Sequence, residues 1–335
     1  VVSIVYLQPR LQKLITFRSG ILHKIWVLTT VSIAAQIGTT PISFMYFHLF
    51  PNWFFLSNLI VIPLATLIVY NAGLLLAVSA LPYISDLFAF SLKFIVKLLN
   101  SSVNLIEQFP ASATEDIPFQ LIDTIFWYLI IISLLIFFQY KQSRQLQISI
   151  VILIVYLGFL GMEDIQHKNQ QRLMVYNIRN ASMIQFIDGN TALSICDTSF
   201  HHSLSYEFAV KNHELNSGIK QNTFFDFEQV HRHNFLYRKD EFLFFGEKTI
   251  VFLDKKEQSR FSSSKAFDTD CVILSGNEYF FMDDIQNLYN PDIIVFDSSN
   301  KLNRIERWKE ECDTLDIKYH SVPEAGAFVL NIKKE

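Results

Sequence analysis

Between Ile25 and Ser85 the sequence carries no Asp, Glu, Lys or Arg. A soluble domain keeps charge on its solvent face, and an uncharged run of 61 residues is incompatible with one. The run is long enough for two membrane-spanning helices, each needing about 20 residues to cross ~30 Å of hydrocarbon. Glycine and proline are also scarce, 10 and 9 in 335 residues, so their clustering is informative: Gly38, Pro41, Pro51 and Pro63 fall within the 30 residues from Ala34 to Pro63.

Cysteine is nearly absent. Cys196, Cys271 and Cys312 form no CxxC or Cys/His spacing, and an odd count excludes a complete disulfide framework. Buried free thiols are the expectation. No P-loop, dinucleotide-binding glycine motif, GxSxG or HExxH occurs, so the energy source is expected in a partner, such as a separate ATPase, or in the membrane potential. The histidine groups, His201-His202 and His231-Arg232-His233, lack the three or four converging ligands of a zinc site and read as solvated.

The charge that is present is unevenly placed. Residues 1–165 hold 8 Lys/Arg against 7 Asp/Glu, and the remaining 170 hold 20 against 25. The first half is membrane in character. The second is a mildly acidic domain large enough for its own core, without the basic surface of a non-specific DNA binder. Val1 opens mid-run in apolar text with no initiator Met, so a further upstream part is expected.

In order, 1–7 ends a membrane helix closed by Pro9, and a basic juxtamembrane segment, 10–24, marks the cytoplasmic side. A span from Ile25 meets Gly38-Thr39-Thr40-Pro41, which predicts a kink or unwound turn, and 53–80 supplies a second span. Residues 86–108 alternate apolar and polar positions at helical spacing, an amphipathic helix that lies on the membrane or closes one side of a polar passage. Residues 110–118 are an acidic loop, and 124–140 with 145–162 form a helical hairpin with its basic tip inside. By that count the second half is extracytoplasmic. From Arg172 short strands follow, then strand–helix alternation, giving an α-helical polytopic membrane region followed by an α+β domain, with an αββα sandwich as one form. The divisions are 1–110, 111–165 and 166–335.

Gln36, Thr39, Thr40, His48, Asn52 and Asn58 stand at or near membrane depth, where unpaired polar groups cost several kcal/mol. They are either hydrogen-bond glue between helices or the lining of a wet passage. The run AQIGTTPISFMYFHLFPNWFFLSNLIVIP resembles the competence domain of ComEC-type DNA-uptake proteins, through Ala35, Gln36, Gly38, Thr39, Pro41, Phe47, His48, Phe50, Asn58 and Pro63. The resemblance implies a multi-pass channel of the cell inner membrane that passes single-stranded DNA, working with other competence proteins. Gln36, Thr39, Thr40, His48 and Asn58 are then the DNA-passage residues.

The second half is similar to that family's C-terminal metallo-β-lactamase-like domain, with LMVYNIRNASMIQFIDGNTALSICDTS as its opening strands and PDIIVFDSSN and YHSVPEAGAFVL as its close. It departs from the family where chemistry sits. Nothing like HxHxDH follows Asp197-Thr198-Ser199, and Leu274-Ser275-Gly276-Asn277 replaces a His-His-Gly-Ser segment. The resemblance implies the fold in degenerate form, metal-free and catalytically silent, with Asp197, Ser275, Asn277, Asp297 and His320 at the former site positions. Two other readings compete: a nuclease acting on the non-transported strand through Asp197, His201, His202, Asp297 and His320, which alone would require metal ions, and a membrane-anchored binding or sensor module.

Overall fold

A computed structural model describes residues 1–196, 206–225, 232–233, 235–254 and 266–332. The chain divides into two compact units, Val1–Tyr156 and Leu157–Glu335.

The first unit is helical: α1 (Val2–Gln12), α2 (Gly20–Phe47), α3 (Phe54–Ala77), α4 (Pro82–Glu107), α5 (Leu121–Tyr140) and α6 (Ser143–Asn169), the last running on into the second unit. Among the described residues five helices, α2 to α6, are long and apolar enough to cross a membrane. Two expectations about proline are corrected. Pro9 does not close the first helix, and the Gly38–Pro41 segment does not unwind; both prolines sit inside continuous helices. A helical proline removes one N–H and pushes on the preceding turn. At both sites the carbonyl three residues back finds a side-chain donor: Arg10 Nη1 donates to the Tyr6 carbonyl, and Tyr128 Oη on α5 donates to the Gly38 carbonyl at 3.0 Å. Gly38 itself serves close packing. A Cβ there would lie 2.6 Å from the Ser3 Cβ on α1.

Neighbouring helices are joined by isolated polar pairs. Asn71 Nδ2 donates to Ser91 Oγ at 2.8 Å between α3 and α4. On the α5–α6 hairpin Ser149 Oγ donates to Ser133 Oγ at 2.8 Å, and Tyr156 Oη donates to buried Asp123 at 3.0 Å. Asp123 also accepts the Gln120 backbone N–H at 2.6 Å, completing a capping box at the start of α5. The segment 110–118, expected as a plain loop, contains a short strand. β2 (Ala113–Thr114) pairs antiparallel with β1 (Phe50–Pro51). Asn52 ties the two connections further, its amide donating to the Ala111 carbonyl at 2.9 Å and to Thr114 Oγ1 at 3.1 Å.

The second unit faces two sheets against each other. One runs β14 (Phe328–Asn331), β3 (Gln171–Val175), β4 (Met183–Asp188), β5 (Thr191–Cys196), β6 (Gln221–Phe225). The other runs β13 (Tyr319–Ser321), β12 (Ile294–Phe296), β11 (Cys271–Leu274), β10 (Lys248–Leu253), β9 (Phe242–Phe245), β8 (Leu236–Lys239), β7 (Arg232–His233), with β10 to β13 parallel. Leu173, Phe186 and Leu193 of the first sheet meet Phe245, Ile250 and Val295 of the second in one core. Outside the second sheet lie α8 (Met282–Tyr289) and α9 (Leu302–Leu315), buried through Ile285, Ile305 and Trp308. A π-turn, Glu207–Lys211, and α7 (Asn212–Asn216) follow 197–205, and Tyr206 and Val210 join the core on the other face of the first sheet. This is a helix–sheet–sheet–helix order, and it follows the expected alternation closely from Arg172 on. The three cysteines are buried and in no disulfide; burial pushes Cys312 up to about 12, which keeps it inert as a nucleophile.

Candidate functional site

Two places carry the sequence-predicted site residues. In α2 and α3 the polar side chains separate into two kinds. Thr40 Oγ1 donates to the Gln36 carbonyl at 2.7 Å and Thr39 Oγ1 to the Ala35 carbonyl at 3.1 Å, so both hydroxyls fold back on their own helix. His48 caps α2 in the left-handed region, at φ 51°, and its Nδ1 meets the Ile117 carbonyl at 3.0 Å, fastening the β1–β2 clasp. Gln36 and Asn58 are half-buried, and neither side-chain amide has a hydrogen-bond partner among the described residues. Gln36 lies eleven residues from the end of α2, ~16 Å in at 1.5 Å per residue. Asn58 is four residues into α3, ~6 Å from its start. An amide left unpaired in an apolar medium costs several kcal/mol, so these two positions point to water or a polar ligand.

The second place is at the ends of parallel strands β11 and β12. Gly276 (φ 73°) and Asn277 (φ 57°) turn the chain after β11, and a Cβ on Gly276 would press the Asp254 carbonyl at 2.7 Å. Their backbone N–H groups donate to Ser299 Oγ at 2.8 Å and Asn300 Oδ1 at 3.0 Å. Asp297 is fully buried. Its Oδ1 accepts from Ser299 N at 3.0 Å, Ser299 Oγ at 2.5 Å and Asn300 Nδ2 at 2.9 Å, while Oδ2 has no hydrogen-bond partner. Burial holds the Asp297 carboxyl above the usual carboxylate range, against the opposing pull of the Ser182, Ser299 and Ser275 hydroxyls. Ser275, Asn277 and Asp297 are thus brought into one network. His320, on the neighbouring strand, holds the Gly326 carbonyl through Nε2 at 3.0 Å and packs its ring at a tilt against Phe328. Asp197, His201 and His202 lie outside the described residues, as do Ser199 and His231. Among the described residues no group of three or more His, Cys, Asp or Glu converges as a metal site would require.

A third polar centre was not anticipated from the sequence. Glu214 on α7 is buried and accepts from Gln185 Nε2 at 2.6 Å, Asn222 Nδ2 at 2.5 Å and Tyr206 Oη at 2.8 Å. Burial raises its pKa, and these donors act against that. Its only trace in the sequence is Gln185 and Ser194 on otherwise apolar strands, where a buried polar residue demands a partner. Asp123 and Tyr156 were missed for the same reason: one acid in a membrane hairpin has no visible partner until the helices are paired.

Two family models match the chain. "Competence protein" matches residues 1–144, and "ComEC C-terminal domain" matches residues 173–332. No curated protein and no solved structure matches it.

Proposed function

We propose that this chain, which belongs to the ComEC-type competence proteins and so to the membrane machinery of DNA uptake, forms part of the wall of a passage for single-stranded DNA. It is a multi-pass membrane protein, with five helices of spanning length and composition. The observation that carries the passage reading is the pair of half-buried, unpartnered amides, Gln36 and Asn58. Thr39 and Thr40 close on their own helix and His48 on a neighbouring connection, so their roles are positioning ones. A carboxamide serves a DNA passage well: it hydrogen-bonds bases, phosphates or water without fixing a charge that would trap the polyanion.

Orientation follows from charge. Arg10, Lys13, Arg18 and Lys24 flank the α1–α2 connection, and Lys141 and Arg144 flank the α5–α6 connection. These two connections share one side because α2 to α5 make four alternating passes. The positive-inside rule supports a cytoplasmic assignment for that side, with the chain after α6 on the outer side, and the family resemblance supports the inner membrane as its location.

The second unit is proposed as a metallo-β-lactamase-like sandwich without the hydrolytic centre. The described residues at the ends of β11 and β12 do not fit a two-metal site: they offer a single buried carboxylate whose Oδ1 is occupied by three donors. Its place is then in binding DNA or a partner protein.

The test is natural transformation in a strain whose only copy carries Gln36→Leu or Asn58→Leu. Loss of transformation with normal membrane levels of the protein supports the passage; unchanged transformation refutes it. Metal analysis of the purified protein tests the silent domain, and about two equivalents of zinc or manganese would overturn that part.

A further inference from the structure

The first unit has a cavity that the passage reading does not use. It lies between α1 and α5, encloses about 240 Å³, and is walled by Leu7, Leu11, Leu14, Leu135 and Phe138. Leu7 and Leu11, four residues apart, share one face of α1, and Leu14 follows just past its end. The cavity is apolar except at its rim. There Arg10 stacks on the Tyr6 ring, 4.2 Å from its centroid, and reaches Gln139 Oε1 at 3.4 Å. Lys141, just beyond the lining, lies over the ring of the wall residue Phe138 at 5.5 Å. Both cations are exposed, and neither meets a carboxylate among the described residues. No acidic residue precedes Asp86 in the chain.

We infer that this cavity binds an anionic phospholipid, with an acyl chain against the leucines and the headgroup phosphate between Arg10 and Lys141. Three features point to that occupant. The walls offer an acyl chain dispersion contacts and nothing polar to satisfy, which disfavours a peptide or nucleotide inside it. The two rim cations are unneutralised and lie at the ends of their helices, at headgroup level. Cations at that level attract an anionic leaflet, each by about 1 kcal/mol, and each of the two lies over an aromatic ring that lines the cavity. Lys13 and Arg144 sit just beyond on the same side and add to the same field. The inference needs only that α1 and α5 are in the membrane; it is independent of whether DNA passes along α2 and α3.

The test is native mass spectrometry of the full chain, released from nanodiscs containing equal amounts of phosphatidylglycerol and phosphatidylcholine with identical acyl chains. Retention of phosphatidylglycerol over phosphatidylcholine is expected. The double variant Arg10→Gln/Lys141→Gln should lower the retained phosphatidylglycerol roughly tenfold or more and leave transformation to be judged separately. Leu135→Trp, which fills the cavity and spares the charges, should displace the lipid as well. Helicity by circular dichroism confirms that each variant is folded. Equal retention of the two lipids, undiminished retention by the folded double variant, or displacement of the lipid by a single-stranded oligonucleotide or by inorganic phosphate would each overturn the assignment.

Discussion

Replacing Gln36 by Leu should strengthen the protein while abolishing its activity. In the folded chain the Gln36 amide is half-buried about 16 Å along α2 from its end and has no partner among the described residues. Leaving a buried amide unpaired costs ~1–3 kcal/mol by mutational measurement; halving that for partial burial leaves about 0.5–1.5 kcal/mol. Leucine is close in volume, removes the amide, and disturbs neither the Thr40 bond, which uses the Gln36 backbone carbonyl, nor the Tyr128 bond to Gly38. Unfolding of the purified chain in micelles, followed by circular dichroism against denaturing detergent, should therefore shift to higher detergent. DNA uptake should fall, because the group that replaces water around the strand has gone. Were Gln36 a hydrogen-bond tie between helices, the sign would reverse: Leu would destabilise, by about 0.6 kcal/mol on the average seen for interhelical bonds in membranes, and uptake would follow stability. Lower stability with intact uptake refutes the reasoning.

Four further outcomes follow from the packing and burial. Gly38→Val should force α1 from α2, because even a Cβ meets Ser3, and the overpacking should cost ~1–3 kcal/mol in the same unfolding assay. Tyr128→Phe should strip the Gly38 carbonyl of its side-chain donor and cost about 1 kcal/mol in the same assay. Two of the buried carboxyls of the second unit, Asp297 and Glu214, should respond oppositely to amide replacement. Asp297 has one oxygen without a partner, so Asp297→Asn should be neutral or stabilising at pH 7; all of Glu214's known partners are donors, so Glu214→Gln should cost ~1–3 kcal/mol. The pH dependence has a definite sign. The native Asp297 value is raised above the ordinary 3.8, so the folded state binds more protons there. Its contribution to stability is present below that value and is lost as pH rises through the native one. Thermal unfolding of wild type and Asp297→Asn across pH 4 to 8 should converge at the acid end and separate toward pH 8.

Much of the architecture was legible because it is written in periodicity. The β11 limits, Cys271–Leu274, and the α9 run to Leu315 follow from unbroken apolar text and from 3.6-residue spacing. What misled was proline. Pro9 and Pro41 look like helix ends, but whether a helix survives them depends on donors elsewhere, Arg10 one residue on and Tyr128 on another helix. Local sequence holds no trace of the second. The same limit applies to the site. Six polar residues at membrane depth look equivalent in the sequence; only the fold separates Thr39, Thr40, His48 and Asn52, which are bonded, from Gln36 and Asn58, which are not. At the strand ends the lack of histidine in Ser275-Gly276-Asn277 was visible, but the bonds that Ser299 and Asn300 make across to that turn were not.

The clasp between β1 and β2 has a mechanical meaning. It fastens the start of α3 to the connection leaving α4, while the turn at the other end of this helical hairpin, around Ser79 and Ala80, makes only local backbone bonds such as Leu81 N–H to the Val78 carbonyl. A rod clasped at one end and not at the other can act as a lever. With α3 ~36 Å long at 1.5 Å per residue, a tilt of about 5° about the clasp displaces the far tip by ~3 Å, close to the width needed to admit or exclude a water file. The hydrogen bonds of His48 and Asn52 would act as the pivot of that motion, and the Asn71–Ser91 bond would make the two helices swing as one.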